Sequence, residues 1–229
     1  MPRDGQNVSA SVLANALIQV YGLKPYFAYL LAYGAFFGIT KGKSFTLDLD
    51  ELCATPIAHS AALVHVNPTQ QGRQTDGRPS RFLVNQMFES ARTSDPRSFD
   101  YGDFDLDNFA LWRNKREQEN VDMPRMHMYI AAGELALLLQ VFGQRHDNYT
   151  MSRTVLYNFL AHERLPDEWQ PSRLKPSQRI GLASTFHVGH HVRRSMAKLR
   201  CHNYIPYYVW AAVFLSAVAG VMFIMKRGF

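Results

Sequence analysis

The sequence predicts an all-α fold, with a single helical domain followed by a C-terminal transmembrane helix. Apolar residues recur at helical spacing in most segments of the 229-residue chain, and no segment shows the alternation of a half-buried strand. The run 204–225, YIPYYVWAAVFLSAVAGVMFIM, contains no charged residue. A helix of about 20 apolar residues crosses the hydrocarbon core of a bilayer. We therefore divide the chain into a helical domain at 1–175, a basic juxtamembrane segment at 176–203 and a transmembrane helix at 204–225.

The first two predicted helices follow each other closely. Residues 9–22, SASVLANALIQVYG, begin with a serine that can cap a helix, and Gly22 and Pro25 end it. Residues 26–39, YFAYLLAYGAFFGI, are apolar on every face but too short to cross a membrane. This pattern predicts a helix that is buried in the core.

The middle of the chain predicts two helices on either side of an acidic loop. Residues 80–92, SRFLVNQMFESAR, have the pattern of an amphipathic helix. Residues 108–120 carry so many charges that we expect an exposed helix, and Asp107 is placed to cap it.

Two further helices complete the predicted domain, at 126–142 and 152–166. The first, MHMYIAAGELALLLQVF, is apolar except for Glu134. Burial of an unpaired carboxylate is costly, so either its pKa rises or a partner lies nearby. Such a carboxyl group is a candidate general acid or base, and the alternative is a structural Glu held by an Arg or Tyr.

Several histidines are candidate functional groups. His59 stands in the apolar stretch PIAHSAALVHV, where it is either catalytic or a core histidine with satisfied hydrogen bonds. His187, His190 and His191 have the helical spacing of metal ligands. Because Arg and Lys residues surround these three, we interpret them as a solvated strip that faces lipid headgroups.

The positive charge of the chain is concentrated near its C-terminus. Nine of the 25 Lys and Arg residues lie beyond residue 170, and the remaining 16 face all 19 acidic residues. This distribution favours a membrane surface and excludes a nucleic-acid partner. No signal peptide precedes the first helix, which predicts a tail anchor, although the sequons at Asn7 and Asn148 leave its orientation open.

Four segments, in the same order, resemble the fungal haem-thiolate peroxidases of the chloroperoxidase and unspecific peroxygenase type. MPRDG at the start resembles the Leu-Pro-Arg-Asp-Gly that follows the family's Pro-Cys-Pro segment. LDLDELCATPIAHSAAL is similar to a segment ending in Ile-Glu-His-Asp-Ala-Ser-Leu. AAGELALLLQVFG resembles the Gly-Glu-Ala-Ala helix, and NFLAHERLPDEW the Glu-Arg-Leu-Pro stretch. The resemblance extends from residue 2 to about 175 and implies a helical haem-peroxidase-like domain.

The resemblance also implies roles for individual residues. Glu134 matches the acid/base glutamate that moves a proton between the two oxygens of hydrogen peroxide, and His59 matches its partner. The implied cofactor is haem b. Ala58 and Ala62 stand where the family has two ligands of a divalent cation, so we expect that cation to be absent. Ser60 replaces the aspartate that follows the histidine.

No cysteine stands at the family's axial position. Cys53 lies in a different segment and Cys201 is next to the apolar run, so neither a disulfide framework nor a structural zinc site is expected. Either the start shown here lies downstream of a Pro-Cys-Pro segment or the chain is truncated relative to the family.

Two functions follow as expectations. The first is a membrane-anchored haem peroxidase or peroxygenase that oxidises a hydrophobic or aromatic small molecule in fungal secondary metabolism. In that case the aromatic residues of 26–37 line the haem or substrate pocket. The second is a catalytically degenerate, membrane-tethered scaffold or ligand-binding relative.

Overall fold

The computed structural model describes residues 5–48, 62–66, 78–92, 103–120, 125–143, 149–167, 169 and 176–200. Within these residues the chain forms seven α-helices, one short 3-10 helix and two strands. The helices are α1 Ala10–Tyr21, α2 Pro25–Thr40, α3 Arg81–Arg92, α4 Leu106–Gln118, α5 Arg125–Phe142, α6 Arg153–His162 and α7 Leu182–Arg200. The 3-10 helix is Pro176–Gln178, and the strands are β1 Val8–Ser9 and β2 Thr46–Leu47. The described part of the chain is mostly helical, as predicted.

Helix α1 begins and ends where the sequence predicts. The Ser9 hydroxyl accepts a hydrogen bond from the backbone N–H of Val12 at 3.2 Å, which satisfies one donor that every helix start leaves open. Gly22 follows the last turn with φ of 67°, a left-handed conformation that glycine adopts without a steric penalty. Pro25 then occupies the first turn of α2, where its missing N–H is not needed.

The two strands, which the sequence did not predict, pair antiparallel. Val8 lies opposite Leu47, and Ser9 lies opposite Thr46. Two residues are too few for an alternating pattern to show in a sequence. The pairing joins the segment after α2 to the start of α1.

The prediction that α2 is buried in the core holds for one face of the helix only. Its buried face consists of Phe27, Ala28, Ala32 and Phe36. Tyr26 and Tyr29 are exposed. A helix that is apolar all round is fully buried only when other elements cover all of it, and the described elements leave part of α2 open.

Helices α3 to α7 share the main hydrophobic core. Its largest fully buried side chains include Met87, Phe109, Trp112, Leu135, Leu139 and Leu156. A second cluster lies between α1 and α2 and includes Ile180. Leu137 and Val141 of α5 pack against this second cluster, so α5 lies between the two apolar regions.

The segment around residue 180 joins the α1–α2 pair to the rest of the chain. The backbone N–H of Lys24 donates to the Ile180 carbonyl at 2.7 Å, and the Ile180 N–H donates to the Gly22 carbonyl at 3.0 Å. The Trp169 Nε1–H donates to the Val20 carbonyl at 2.6 Å. These bonds connect residues that are about 150 positions apart in the sequence.

Helix α4 differs from the prediction at its start. Asp105, rather than Asp107, caps the helix: its Oδ1 accepts from the Asn108 N–H at 2.7 Å. The Asn108 side chain in turn accepts from the Asp105 N–H at 3.2 Å, which completes a reciprocal capping box. Asp107 lies in the first turn, where a negative charge also favours the helix.

The prediction that the charged helix α4 is exposed is also wrong. Four of its polar residues are buried, namely Arg113, Asn114, Arg116 and Glu117. A charge count alone predicts exposure, because charged groups are rarely buried without partners. Here the partners come from α4 itself, from α7 and from the backbone of residues 62–66.

Helix α7 packs closely against α5. Val188, Val192 and Met196 are buried in the main core. A Cβ atom at Gly189 would lie 3.5 Å from the Ala132 carbonyl oxygen, so the two helices approach each other at this glycine. Residues 176–203 are predicted to form a basic juxtamembrane segment, and within them α7 shares the main core with the preceding helices.

Several predictions lie outside the described residues. They concern the transmembrane helix at 204–225, His59 with Ala58 and Ser60, the sequon at Asn148, and both cysteines, Cys53 and Cys201. Within the described ranges no helix combines the length and the apolar character that a membrane span needs. Asn7 is described and exposed, and its use as a glycosylation site stays a prediction.

Candidate active site

Glu134 lies near the middle of α5, on a face of the helix that is covered at one end and open at the other. Leu137 and Val141 continue this face toward the C-terminus and pack against the second cluster. Ile130, one turn before Glu134, is 49% exposed. A Cβ atom at Gly133 would meet no heavy atom within 4 Å. The surface beside the carboxyl group is therefore apolar and has space next to it.

The Glu134 carboxyl group is crowded by protein and still reaches solvent. Its side chain is exposed, yet burial among the surrounding atoms raises its pKa above the ordinary value, while the positive charge of Arg113 acts in the opposite direction. Solvent therefore reaches the carboxyl group while its surroundings disfavour the charged form. A carboxyl group with a raised pKa that solvent can reach is suited to exchange protons with a bound molecule.

A buried ion network lies next to this carboxyl group. Arg113 Nε donates to Glu117 Oε1 at 3.3 Å within α4. Arg193 of α7 approaches the same carboxylate through Nη1, at 3.2 Å from Oε1 and 3.1 Å from Oε2. The exposed fractions of the Arg113 and Glu117 side chains are 2% and 1%, and that of Arg193 is 20%. Glu117 therefore neutralises part of the positive charge of two guanidinium groups.

Arg113 connects the network to Glu134. Burial lowers the pKa of Arg113, whereas Glu117 and then Glu134 raise it through their negative charges. Two arginines and one glutamate leave the network with a net charge of about +1, and ionised Glu134 brings the total to zero. The network thus supports the anionic form of Glu134 against the cost of burial.

Helix α4 also holds the segment 62–66 in place. Trp112 Nε1–H donates to the Leu63 carbonyl at 2.9 Å. Arg116 donates from Nε to the Ala62 carbonyl at 3.0 Å and from Nη2 to the His65 carbonyl at 2.9 Å. Side chains on one helix therefore fix three carbonyl groups of a segment that has no regular secondary structure.

The structure brings together some predicted site residues and leaves others undescribed. Glu134 is placed, whereas His59 and Ala58 lie outside the described residues. Ala62 is half-buried, and its carbonyl group is bound by Arg116. Among the described residues no group of three or more His, Cys, Asp or Glu side chains is arranged to hold a metal ion.

Sequence reasoning missed the groups that surround Glu134. The Arg113–Glu117 spacing of four residues is visible in the sequence and is typical of a surface pair, so it gave no sign of burial. His127 lies two turns before Glu134 on α5, and its buried Nδ1 has no hydrogen-bond partner among the described residues. That seven-residue spacing, which places both residues on one face of a helix, was a signal that could have been used.

The three histidines of α7 are only partly solvated. His187 is exposed, and His190 and His191 are half-buried. Burial is the largest cause that lowers the pKa of His190 and of His191, and neighbouring His187 and Arg194 lower both further. His190 and His191 therefore favour the neutral form, which is the form that binds metal ions.

The family described as "Peroxidase, family 2" matches residues 1–173. No curated protein matches the chain.

Proposed function

The chain belongs to peroxidase family 2, the fungal chloroperoxidase family, and from this premise we propose that it is a haem-dependent peroxidase or peroxygenase. Membership supports a peroxidase-type oxidoreductase with a haem-type cofactor in general. The finer proposal is that hydrogen peroxide and haem b oxidise a hydrophobic or aromatic small molecule, in fungal secondary metabolism. The observation that carries it is Glu134, a carboxyl group with a raised pKa on an open apolar face of α5.

Glu134 has the chemistry that peroxide cleavage requires. A proton must leave one oxygen of hydrogen peroxide and reach the other before the O–O bond breaks heterolytically, and one positioned carboxyl group can do both. Its raised pKa makes the carboxylate a stronger base, and the guanidinium group of Arg113 keeps the anion accessible. His127 is two turns before Glu134 in α5, and its buried Nδ1 has no hydrogen-bond partner among the described residues, so we propose it as a further polar group of this site.

Bound haem would supply the iron that holds the peroxide and accepts its oxidising equivalents. The half-exposed apolar side chain of Ile130 and the open space at Gly133 support the binding of a flat apolar cofactor on this face of α5. Neither Cys53 nor Cys201 lies within the described residues, so no described residue is assigned to the iron.

We further propose that His59 orients Glu134, as the family resemblance implies. The support from the structure concerns the segment that follows His59. Residues 62–66 are bound to α4 by Trp112 and Arg116, and α4 also carries Arg113, which interacts with Glu134. Ala62 offers only its carbonyl group, which Arg116 already binds, so we do not propose the family's divalent cation here.

Part of the α2 surface is suited to line the haem or substrate pocket. Tyr29 and Tyr33 stack with ring centroids 6.0 Å apart, and Tyr33 lies 5.4 Å from Phe45. Cβ atoms at Gly34 and Gly38 would meet nothing within 4 Å. This open aromatic and apolar surface supports the proposal that the residues of 26–37 contact a hydrophobic substrate or the haem.

The test uses the full chain. Haem is titrated into the protein, and the peroxide-dependent oxidation of an aromatic dye is measured for the wild type and for Glu134→Gln. General acid/base catalysis contributes about 10²–10⁴-fold, so the variant should lose activity by that factor. Asp167→Asn is the matched control, because Asp167 is 81% exposed. Equal activity of haem-loaded wild type and Glu134→Gln would refute the assignment.

A second candidate is a catalytically degenerate ligand-binding protein or scaffold. The alanine at position 62, where the family has a cation ligand, favours this function. In that case the full chain shows no haem absorbance in the titration and binds a hydrophobic fluorescent probe with equal affinity when Glu134 is replaced by Gln.

We also propose that residues 204–225 anchor the protein in a membrane. The proposal rests on the uncharged run of 22 residues. Expressed protein should stay in the membrane pellet after alkaline carbonate extraction, whereas a version that ends at residue 203 should be released. Release of both versions would refute the anchor.

A further inference from the structure

Two histidines on α7 lie side by side, outside the residues matched by the peroxidase family. His187 and His191 are one helical turn apart, and their Nε2 atoms are 3.2 Å apart. Their ring centroids are 4.6 Å apart, with the planes at 75°. If the two rings pointed straight at each other through their Nε2 atoms, their centroids would be further apart than 4.6 Å. The rings are therefore inclined to each other, and both Nε2 atoms face a common region.

The separation of the two nitrogens suits a shared metal ion. Imidazole nitrogens bind Zn²⁺ at about 2.0–2.1 Å, and at that bond length a separation of 3.2 Å gives an N–metal–N angle of about 100°. This angle lies between the roughly 90° of an octahedral and the roughly 109° of a tetrahedral site. An N–H···N hydrogen bond between the rings also accounts for the distance. When an ion binds, the proton on that Nε2 is lost to water and the ring is left protonated at Nδ1, so that both Nε2 lone pairs are free for the ion.

The rest of α7 holds the pair in place. Val188 and Val192, each next in sequence to one of the two histidines, are buried in the main core. Gly189 lies against the backbone of α5. A helix fixed in this way presents both rings at a constant spacing, which reduces the entropy lost when they bind an ion.

We propose that His187 and His191 chelate a divalent transition-metal ion at the surface of α7, with water completing its coordination. Imidazole ligands prefer Cu²⁺, Ni²⁺ and Zn²⁺ to Mg²⁺ and Ca²⁺. The third ring, His190, is 5.9 Å from His191 between centroids and is not needed for the chelate. The charge of Arg194 repels the ion and limits the affinity.

Calorimetric titration of the full chain with each metal chloride tests the proposal. Cu²⁺ should bind most tightly, Ni²⁺ and Zn²⁺ less tightly, and Mg²⁺ not at all. His187→Ala and His191→Ala should each weaken Cu²⁺ binding by at least about tenfold. His162→Ala is the control, because this exposed histidine lies on α6, and it should leave the affinity unchanged. Wild-type affinity in the double variant His187→Ala/His191→Ala would overturn the proposal.

Electron paramagnetic resonance of bound Cu²⁺ gives a second measurement that does not depend on affinity. The spectrum of the wild type should show nitrogen couplings from two imidazole rings, and His191→Gln should show one fewer. Circular dichroism of each variant checks that α7 remains helical. An identical Cu²⁺ spectrum in His191→Gln would also overturn the proposal.

Discussion

Replacement of Glu117 by Gln should strongly destabilise the protein, although the new side chain has nearly the same shape. Glu117 is 1% exposed and is the anion between Arg113 and Arg193. The amide keeps one oxygen as an acceptor, and its NH₂ group then faces a guanidinium donor. Removal of one partner from a buried ion pair costs about 3–5 kcal/mol, because the other charge stays buried without compensation.

The structure favours the lower end of that range. Arg193 is 20% exposed and its guanidinium lies 5.7 Å from the ring centre of Tyr129, so water and the ring can take over part of the lost interaction. Arg113 is 2% exposed but retains its interaction with Glu134. We therefore expect a loss of about 3 kcal/mol, which lowers Tm by roughly 6–12 °C for a chain of this size.

Urea denaturation followed by circular dichroism measures the loss. The midpoint should fall by about 1–3 M urea at constant slope. The control is Asp167→Asn, because the Arg164–Asp167 pair is 69% and 81% exposed and such pairs contribute less than about 1 kcal/mol. If Glu117→Gln changed the free energy of unfolding by less than about 0.5 kcal/mol, as ordinary surface substitutions do, the account of the network would be refuted.

A double variant tests the link between the network and Glu134. In the wild type at neutral pH, Glu134→Gln removes a carboxylate whose charged form its surroundings disfavour. In the Glu117→Gln background, Glu134 is the remaining anion known to interact with Arg113. The effect of Glu134→Gln on stability should therefore be less favourable in that background, with a coupling of at least about 0.5 kcal/mol. Additive effects would show that the two carboxylates act independently.

Three further predictions concern single residues. The pKa of Glu134 in the folded state is raised above the unfolded value of about 4.5, so the protein loses stability as pH rises from about 4.5 through that raised pKa. Glu134→Gln should therefore raise Tm at pH 8 and have no effect on it at pH 4. Gly189→Ala places a Cβ at ordinary contact distance and should stabilise α7 by up to about 1 kcal/mol in a urea titration, whereas Gly189→Leu should cost about 1–3 kcal/mol by overpacking. Trp112→Phe leaves the Leu63 carbonyl without its indole donor and should cost about 1–3 kcal/mol by the same measurement, and an unchanged midpoint would show that this bond contributes nothing.

The helices were predictable where local chemistry determines them. Ser9 and Gly22 delimit α1 as their cap preferences require. Glu134 stood out as a lone carboxylate in an apolar segment, and the structure shows the raised pKa that burial predicts. Its assignment to the candidate catalytic site, however, came from the family resemblance, because a raised pKa alone also fits a structural carboxylate.

The errors arose where distant segments meet. Glu117 is buried because Arg193 approaches from a helix 76 residues away, and no local pattern reports such a partner. Likewise α2 looked fully buried because its sequence is apolar, but the number of neighbours available to cover it is a tertiary property. Asp105 and Asp107 both lie at the start of α4, and the choice between them as the cap depended on the exchange of hydrogen bonds with Asn108.

The bonds between Ile180 and the turn at Gly22 and Lys24 have a consequence for synthesis on the ribosome. Helices α1 and α2 emerge early, but the strand-like bridge that joins them to Ile180 requires a residue about 140 positions beyond the end of α2. At about 5–20 residues per second, roughly 7–28 s pass before Ile180 has been made. During that interval the apolar residues of α1 and α2 that later contact Ile180 lack that partner. The nascent α1–α2 pair is therefore where we expect chaperones to bind, and a pause in translation after α2 should increase aggregation more than a pause after α7.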